Sequence, residues 1–432
     1  MEITTGHARA ILRDPDTRRL LIAQYLGQTA DGFAQAVFAF VIVLEPLAEG
    51  TPKKILQLFA LTLIPYSFLS PFLGVLVDRW SRRAVMIWTN VARAVILISL
   101  PGWAHLFPGD FGLYASLLAL LALGRLFLTA KGAALPLVLH ERYLLQGNAI
   151  SGGGGMVSAL LGGMLGVAAV RLLTSNQLFA VAGCLYGLTL LFTTRLSWPL
   201  ITHTERLGRV RDAFGKVVRG LGEGVRAVWS RPHARLPLLG IFVVRAIGMV
   251  VAIAAIIVIG DVLSDKVDRA DASALALGAA GVGAFVAALT APFVGRRFDK
   301  PQMILLGFVV SGAGIIAFGG IFSVVAVMAL TFVGGYGTFL TKVSVDAQVQ
   351  EALPDEFRGR AFALYDILYN LASVAAGVVM VVLGDDPGRR QIMTLGVLAL
   401  AVAAALARAM SRAGMLTESG SPVTDSARSG QA

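Results

Sequence analysis

Twelve apolar runs of about twenty residues punctuate this chain, and no other feature restricts its fold so severely. They lie near residues 20–44, 55–77, 84–104, 112–131, 150–171, 178–196, 237–260, 272–294, 302–321, 323–345, 361–383 and 391–409. In hydrocarbon the backbone amides have no water to bond, so each run must close its own hydrogen bonds as a helix. Composition agrees: 56% of the 432 residues are hydrophobic and 15% charged, with a mean hydropathy of +0.75. Soluble globular chains hold about 45–50% apolar and about 25% charged residues. A soluble globule is therefore excluded, as are a disordered chain and a disulfide scaffold, since Cys184 is the single cysteine. The expected fold is all-α and integral to a membrane, with twelve transmembrane helices in two pseudo-symmetric six-helix bundles. The first run is too long for a signal core, so it is expected to remain as the first span.

A net charge of +11 raises the question of nucleic acid, and the positions of the charges answer it. Of the 37 Lys and Arg, 26 fall on alternate loops and the two termini, against 7 on the opposite loops. That is the positive-inside pattern, which puts both termini in the cytoplasm and the chain in the plasma (inner) membrane, with lipids rather than nucleic acid as neighbours.

One connection is long. Residues 197–236 are polar and basic, and they divide an N-terminal bundle (1–196) from a C-terminal one (237–413), followed by a Ser- and Gly-rich tail at 414–432 that is expected to be disordered. Within the linker Val217, Val218, Leu221, Val225 and Val228 alternate with Arg and Lys, which suits a helix lying on anionic lipid. The two halves also echo each other. Gly74 and Asp78 recur as Gly295 and Asp299, both at an offset of 221, and Ala134-Leu135-Pro136 recurs as Ala352-Leu353-Pro354 at 218. Repeated sets of spans are how transporters build a site between two moving halves.

The stretch from Gly74 to Arg83, GVLVDRWSRR, resembles the loop motif of the major facilitator superfamily between its second and third spans. Residues 346–365 (DAQVQEALPDEFRGRAFALY) and 124–150 are similar to the drug- and siderophore-exporter branch of that superfamily. The resemblance covers about residues 18–409 and implies substrate movement by alternating access. It also invites comparison with the Gly-Pro motif of antiporters in span five; here Gly152 to Gly155, Gly162, Gly163 and Gly166 crowd that span without a proline.

Gln24, Gln28, Asp31 and Gln35 recur at spacings of 4, 3 and 4, one stripe along the first span. Asp31 lies about 18 Å beyond Arg19, near mid-bilayer, where a carboxylate is costly unless paired, hydrated or neutralised. It is a candidate for proton coupling or substrate binding; the alternative is a hydrogen-bonded structural Asp. Arg93, Arg125, Arg245 and Lys342 are the basic residues expected within spans, and any of them could pair with Asp31 or with Asp366. The resemblance gives Arg93 an architectural role. Lys342 and Asp346, four apart, are read as a helical pair. Asp366, Tyr369, Asn370 and Ser373 share a face of span eleven, with Asp366 a gate candidate. Gly74, Asp78, Arg79, Arg82 and Arg83, echoed by Gly295 and Asp299, form either a conformational latch or a topological anchor.

No Gly-Lys-Ser/Thr follows the glycine run, and the five His are scattered without metal or triad spacing, so no cofactor, metal or enzyme activity is expected. The reading that remains is a secondary transporter, proton-coupled, exporting amphipathic small molecules. A lipid or lysolipid flippase on the same fold is the first alternative, and a non-transporting membrane receptor the second.

Overall fold

The computed structural model describes residues 13–44, 52–103, 106–107, 111–139, 144–196, 210–262, 269–321, 323–353, 355–384 and 388–416. Among the described residues every regular element is helical. The helices are α1 (Pro15–Ala39), α2 (Pro52–Arg79), α3 (Arg82–Trp103), α4 (Phe111–Val138), α5 (Leu144–Ala169), α6 (Ser175–Thr194) and α7 (Val210–Trp229). They continue as α8 (Pro232–Val262), α9 (Arg269–Val294), α10 (Lys300–Phe318), α11 (Val324–Ala352), α12 (Asp355–Leu383) and α13 (Arg389–Arg412).

Local sequence explains where several of them begin. Asp14 caps α1 by accepting from the Thr17 N–H at 2.6 Å, with Pro15 as the first helical residue. Three helices start with a glutamine reaching back to the backbone N–H before them: Gln177 to Thr174 (2.9 Å), Gln302 to Asp299 (3.0 Å) and Gln391 to Gly388 (2.6 Å). At its far end α1 widens into one π-type turn, Phe40–Leu44.

Among the described residues nine helices are long and apolar enough to cross a membrane, including α3, α4, α6, α10, α11 and α13 over their full length. Of the other expected spans, α2 and α9 hold shorter apolar stretches (Phe59–Leu73 and Gly278–Val294), and α1 falls below the hydropathy of a span because of its polar stripe. Span four is longer than the hydropathy pattern indicates. It reaches Val138, so Ala134-Leu135-Pro136, which follows the run expected at 112–131, belongs to the helix.

The buried side chains fall into clusters that stay within one half. Leu20, Met86, Phe127 and Leu135 pack together, and so do Phe38, Leu97, Phe179 and Tyr186, all from α1–α6. Ile241, Phe308, Val345 and Met410 form a separate core from α8, α10, α11 and α13. Among the described residues Phe59 of α2 touches a cluster of each half. Two six-helix bundles result, meeting where α2 packs on α12 and, more lightly, where α5 faces α9. The linker helix α7 packs on α12, where Arg360 pairs with Glu223 at 2.6 Å. Ala227 and Val228 are buried there, whereas Val218, Val225 and Trp229 stay exposed.

Glycine sets how closely the helices approach. A Cβ on Gly32 would strike the Ala159 carbonyl and one on Gly162 the Thr29 carbonyl, so α1 and α5 touch backbone to backbone. The second bundle uses the same device between α9 and α11, at Gly283 against Phe332 and Gly335 against Ala280. Gly152, by contrast, has nothing within 4 Å of its Cβ position. Gly162→Ala should therefore lower the melting temperature of the purified protein, an overpacking cost of about 1–3 kcal/mol. Gly152→Ala should not. Equal effects of the two would mean that helix propensity, not close approach, governs these glycines.

Candidate functional site

Asp31 lies half-way along α1 and faces α3 and α6. Arg93 of α3 donates to its Oδ1 at 2.7 Å, and the Tyr186 hydroxyl of α6 donates to the same oxygen at 2.6 Å. The Arg93 side chain is 0% exposed and that of Asp31 16%, so the pair is sealed on one side and open on the other. Asn90 accepts from a second Arg93 nitrogen at 2.7 Å, the Thr89 carbonyl takes Nε at 3.3 Å, and the rings of Tyr186 and Phe127 flank the guanidinium at 4.4 and 5.2 Å. Sequence spacing places Thr89, Asn90 and Arg93 within one turn of α3, which is why one helix can satisfy most of the fork. The open side of Asp31 borders a pocket of about 120 Å³, lined also by Gln35, Tyr66, Gly124 and Arg125. A Cβ on Gly124 would lie 3.7 Å from both Asp31 and Arg93, an ordinary contact distance, so α4 runs directly alongside the pair.

The four residues of the stripe have different partners. Gln24, which is buried, donates to Gln28 (2.8 Å) and to the Ser151 carbonyl (2.7 Å), and accepts from the Ser151 hydroxyl (2.8 Å). Lys131 joins this group by donating to Ser151 Oγ at 2.6 Å. Gln24 and Gln28 thus bind α1 to α5, one to two turns from Asp31, while Gln35 lies exposed in the cavity wall.

Arg125 of α4 pairs with Asp366 of α12, an ion pair that joins the two bundles at mid-depth. Both side chains are partly exposed, at 37% and 27%. Asn370, one turn further along, donates to the Asp366 backbone carbonyl at 2.9 Å. Lys342 and Asp346 form the expected helical pair at 2.6 Å. Arg245 of α8 lies over the Tyr369 ring at 4.6 Å.

Of the latch residues, Gly74, Asp78 and Arg79 fall in the last turns of α2, where side chains lie outside the described residues. Arg83 donates to the Thr194 carbonyl at 2.6 Å and so fastens α3 to the end of α6, with Arg82 beside it at the start of α3. Gly295 lies in the turn after α9, and exposed Asp299 immediately precedes α10. The neighbouring Lys300 pairs with Glu351 of α11 at 2.5 Å.

Above the Asp31 pocket, towards the end of the bundle away from these arginines, lies a far larger cavity of about 1590 Å³. Its walls come from α1, α5, α9 and α11: Gln35 and Phe40, Met156 and Leu160, Val282 and Phe285, Met328 and Phe332. Gln35 lines both spaces, which makes the small polar pocket and the large apolar cavity neighbours. Leu161, Met164 and Val282 line the cavity and are exposed, so it reaches the protein surface along α5 and α9.

Two facing six-helix bundles around a mid-membrane site with ion pairs within and between them define a membrane transporter of the alternating-access kind. The model of the Major Facilitator Superfamily matches residues 25–377, and the chain belongs to that family. An MFS-type transporter of Mycobacterium tuberculosis is 27% identical over 395 residues, 90% of this chain and 89% of that protein. A putative bacilysin exporter of Bacillus amyloliquefaciens is 25% identical over 328 residues, 74% of this chain and 78% of the exporter. Among solved structures, the nucleoside transporter NupG superposes with a TM-score of 0.65 at 13% identity, covering 92% of this chain and 99% of its own.

The ion pair at Asp31 yields a stability prediction. Asp31→Asn strands a fully buried guanidinium, at a cost of about 3–5 kcal/mol, and should lower the melting temperature markedly. The double variant D31N/R93M removes both charges and should recover most of the loss. A D31N protein that melts with the wild type would show that the pair carries no structural load.

Proposed function

We propose that this protein is a proton-coupled exporter of amphipathic small molecules, with its arginine-rich end in the cytoplasm of the cell and the division into bundles falling at the 197–236 linker. The observation that carries the reading is the apolar cavity of about 1590 Å³ bordering, through Gln35, the polar pocket at Asp31. A sugar or phosphate ester requires many polar wall groups; aliphatic and aromatic walls with a few convergent polar groups suit a large, poorly hydrated molecule. The likeness to a putative bacilysin exporter supports the outward direction, and so does the resemblance to the drug-exporter branch.

In the proposed cycle Asp31 carries the proton. A protonated Asp31 no longer offers Arg93 a negative charge, so proton uptake and the Arg93 contact compete for one side chain. Arg93 is fixed by Asn90 and Thr89, and a change at Asp31 therefore moves α1 relative to α3 and α6 rather than the arginine. Because α1 is locked onto α5 through Gly32 and Gly162, that displacement reaches the cavity wall. The Arg125–Asp366 pair has to open whenever the bundles separate at that level, which gives it the role of a gate. Asp78, Arg79, Arg82 and Arg83, with Gly74, Gly295 and Asp299, belong in this scheme to the latch that holds one end state.

The opening of the cavity along α5 and α9 favours a second reading, a flippase that takes lipid or lysolipid sideways from the bilayer. Flux separates the two. Purified protein in liposomes should accumulate an amphipathic dye, one of a cationic and an anionic pair, against its gradient when a pH difference is imposed, and at matched amounts of folded protein D31N should only equilibrate it. Undiminished uphill transport by D31N would remove Asp31 from coupling. Movement of fluorescent lysolipid without dye transport would favour the flippase.

The gate has its own test. Asp366→Asn should slow dye flux about tenfold while shifting the melting temperature little, because both partners are partly exposed. The swapped pair R125D/D366R should restore flux at least in part. A swap as slow as the single variant would mean that the pair is not the gate.

A further inference from the structure

We propose that Arg245 receives an anionic oxyacid group, a carboxylate or a phosphate, on the molecule this protein moves. The inference rests on the transport reading above and names the chemistry of its substrate. Its basis is the charge balance of the central layer. Arg93 has Asp31, Arg125 has Asp366, and Lys342 has Asp346. Among the described residues Arg245 has no acidic partner, and its buried Nε has no hydrogen-bond acceptor. It lies 13 residues into α8, about 20 Å from the start of that helix, so its head is held at mid-depth. Lys131 also lacks a carboxylate, yet it differs in two ways: it donates to Ser151 at 2.6 Å, and it sits only about 10 Å from the end of α4.

The surroundings of Arg245 are those of a receiving site. The guanidinium lies over the Tyr369 ring at 4.6 Å, which offsets part of its desolvation and leaves the edge of the fork free to donate. Tyr369 in turn stacks on Tyr365 at 5.9 Å and an interplanar angle of 12°, and Lys342 lies over Tyr365 at 5.6 Å. Two cations thus flank a two-ring stack on α12, one neutralised by Asp346 and one not. An uncompensated cation within a membrane is costly and marks a path for substrate or ions. A planar guanidinium pairs with carboxylate or phosphate through two parallel hydrogen bonds, so an entering oxyanion meets both a charge and a matching geometry. The amphipath therefore carries its apolar body with a negative head.

The test uses the full chain in phosphatidylcholine nanodiscs and three acid–amide pairs of different apolar body: indole-3-acetate, octanoate and 2-naphthoate with their neutral amides. The concentration giving half-maximal thermal stabilisation is the readout. For the wild type at least one acid should act at tenfold lower concentration than its amide. In R245Q that preference should vanish, and in R245K part of it should remain. R245Q removes an uncompensated charge and should melt no lower than the wild type. Retained acid preference in R245Q, or equal action of acid and amide in all three wild-type pairs, would overturn the proposal. Flux of an anionic amphipathic dye by the same protein in liposomes keeps the transport reading separate: normal flux with no acid preference sinks the inference alone, and absent wild-type flux of dyes of either charge sinks both. Nanodiscs containing phosphatidylglycerol identify the source of the anion. Loss of the acid preference only there, together with an R245-dependent rise in stability, would support the site and assign it to a lipid phosphate.

Discussion

The buried ion pair between Asp31 and Arg93 is the constraint around which the first bundle is arranged. A guanidinium that is 0% exposed must find acceptors, and it finds them on its own helix at Thr89 and Asn90 and on α1 at Asp31. Tyr186 brings α6 to the same carboxylate, and Phe127 brings α4 to the face of the arginine. Four helices therefore converge on one charge. The glycines of α5 then fix the remaining contact, because Gly162 admits the backbone of α1 without an intervening side chain. In the proposed cycle a pair so tied turns a change in protonation into a movement of helices.

The second bundle uses the same glycine contact at a different pair of helices. Its tightest backbone contacts are between α9 and α11 rather than at the positions equivalent to α1 and α5. Both glycine-locked pairs border the large cavity, so its walls are stiff pairs of helices and not single ones. On the opposite side α2 and α12 pack closely. The lopsided arrangement gives the cavity its route to the surface along α5 and α9.

Much of this was legible in the residues. Hydropathy gave the helices because the membrane leaves a backbone no alternative, and the spacing of Gln24, Gln28, Asp31 and Gln35 gave the stripe. The i,i+4 pair of Lys342 with Asp346 is local and needs no tertiary knowledge. What sequence could not supply was partner choice. Residues 62 and 155 positions away from Asp31 reach it, and no periodicity reports such a meeting. Tyr186, Asn90, Phe127 and Gly124 escaped notice for that reason, although a polar Asn90 one turn before Arg93 inside an apolar run was a usable signal. The end of span four was set too early because hydropathy falls at Lys131, whereas the helix continues to Val138.

In the proposed cycle the protonation of Asp31 sets the position of the bundles, and a distance between them tests this most directly. Spin labels at Leu161 on α5 and Val282 on α9 stand on opposite walls of the cavity, both exposed. In lipid nanodiscs the wild type should give two distance populations whose ratio changes as the pH is lowered, and D31N should give one ratio at every pH. A pH response of the same size in D31N, or a single unchanging distance in the wild type, would contradict it.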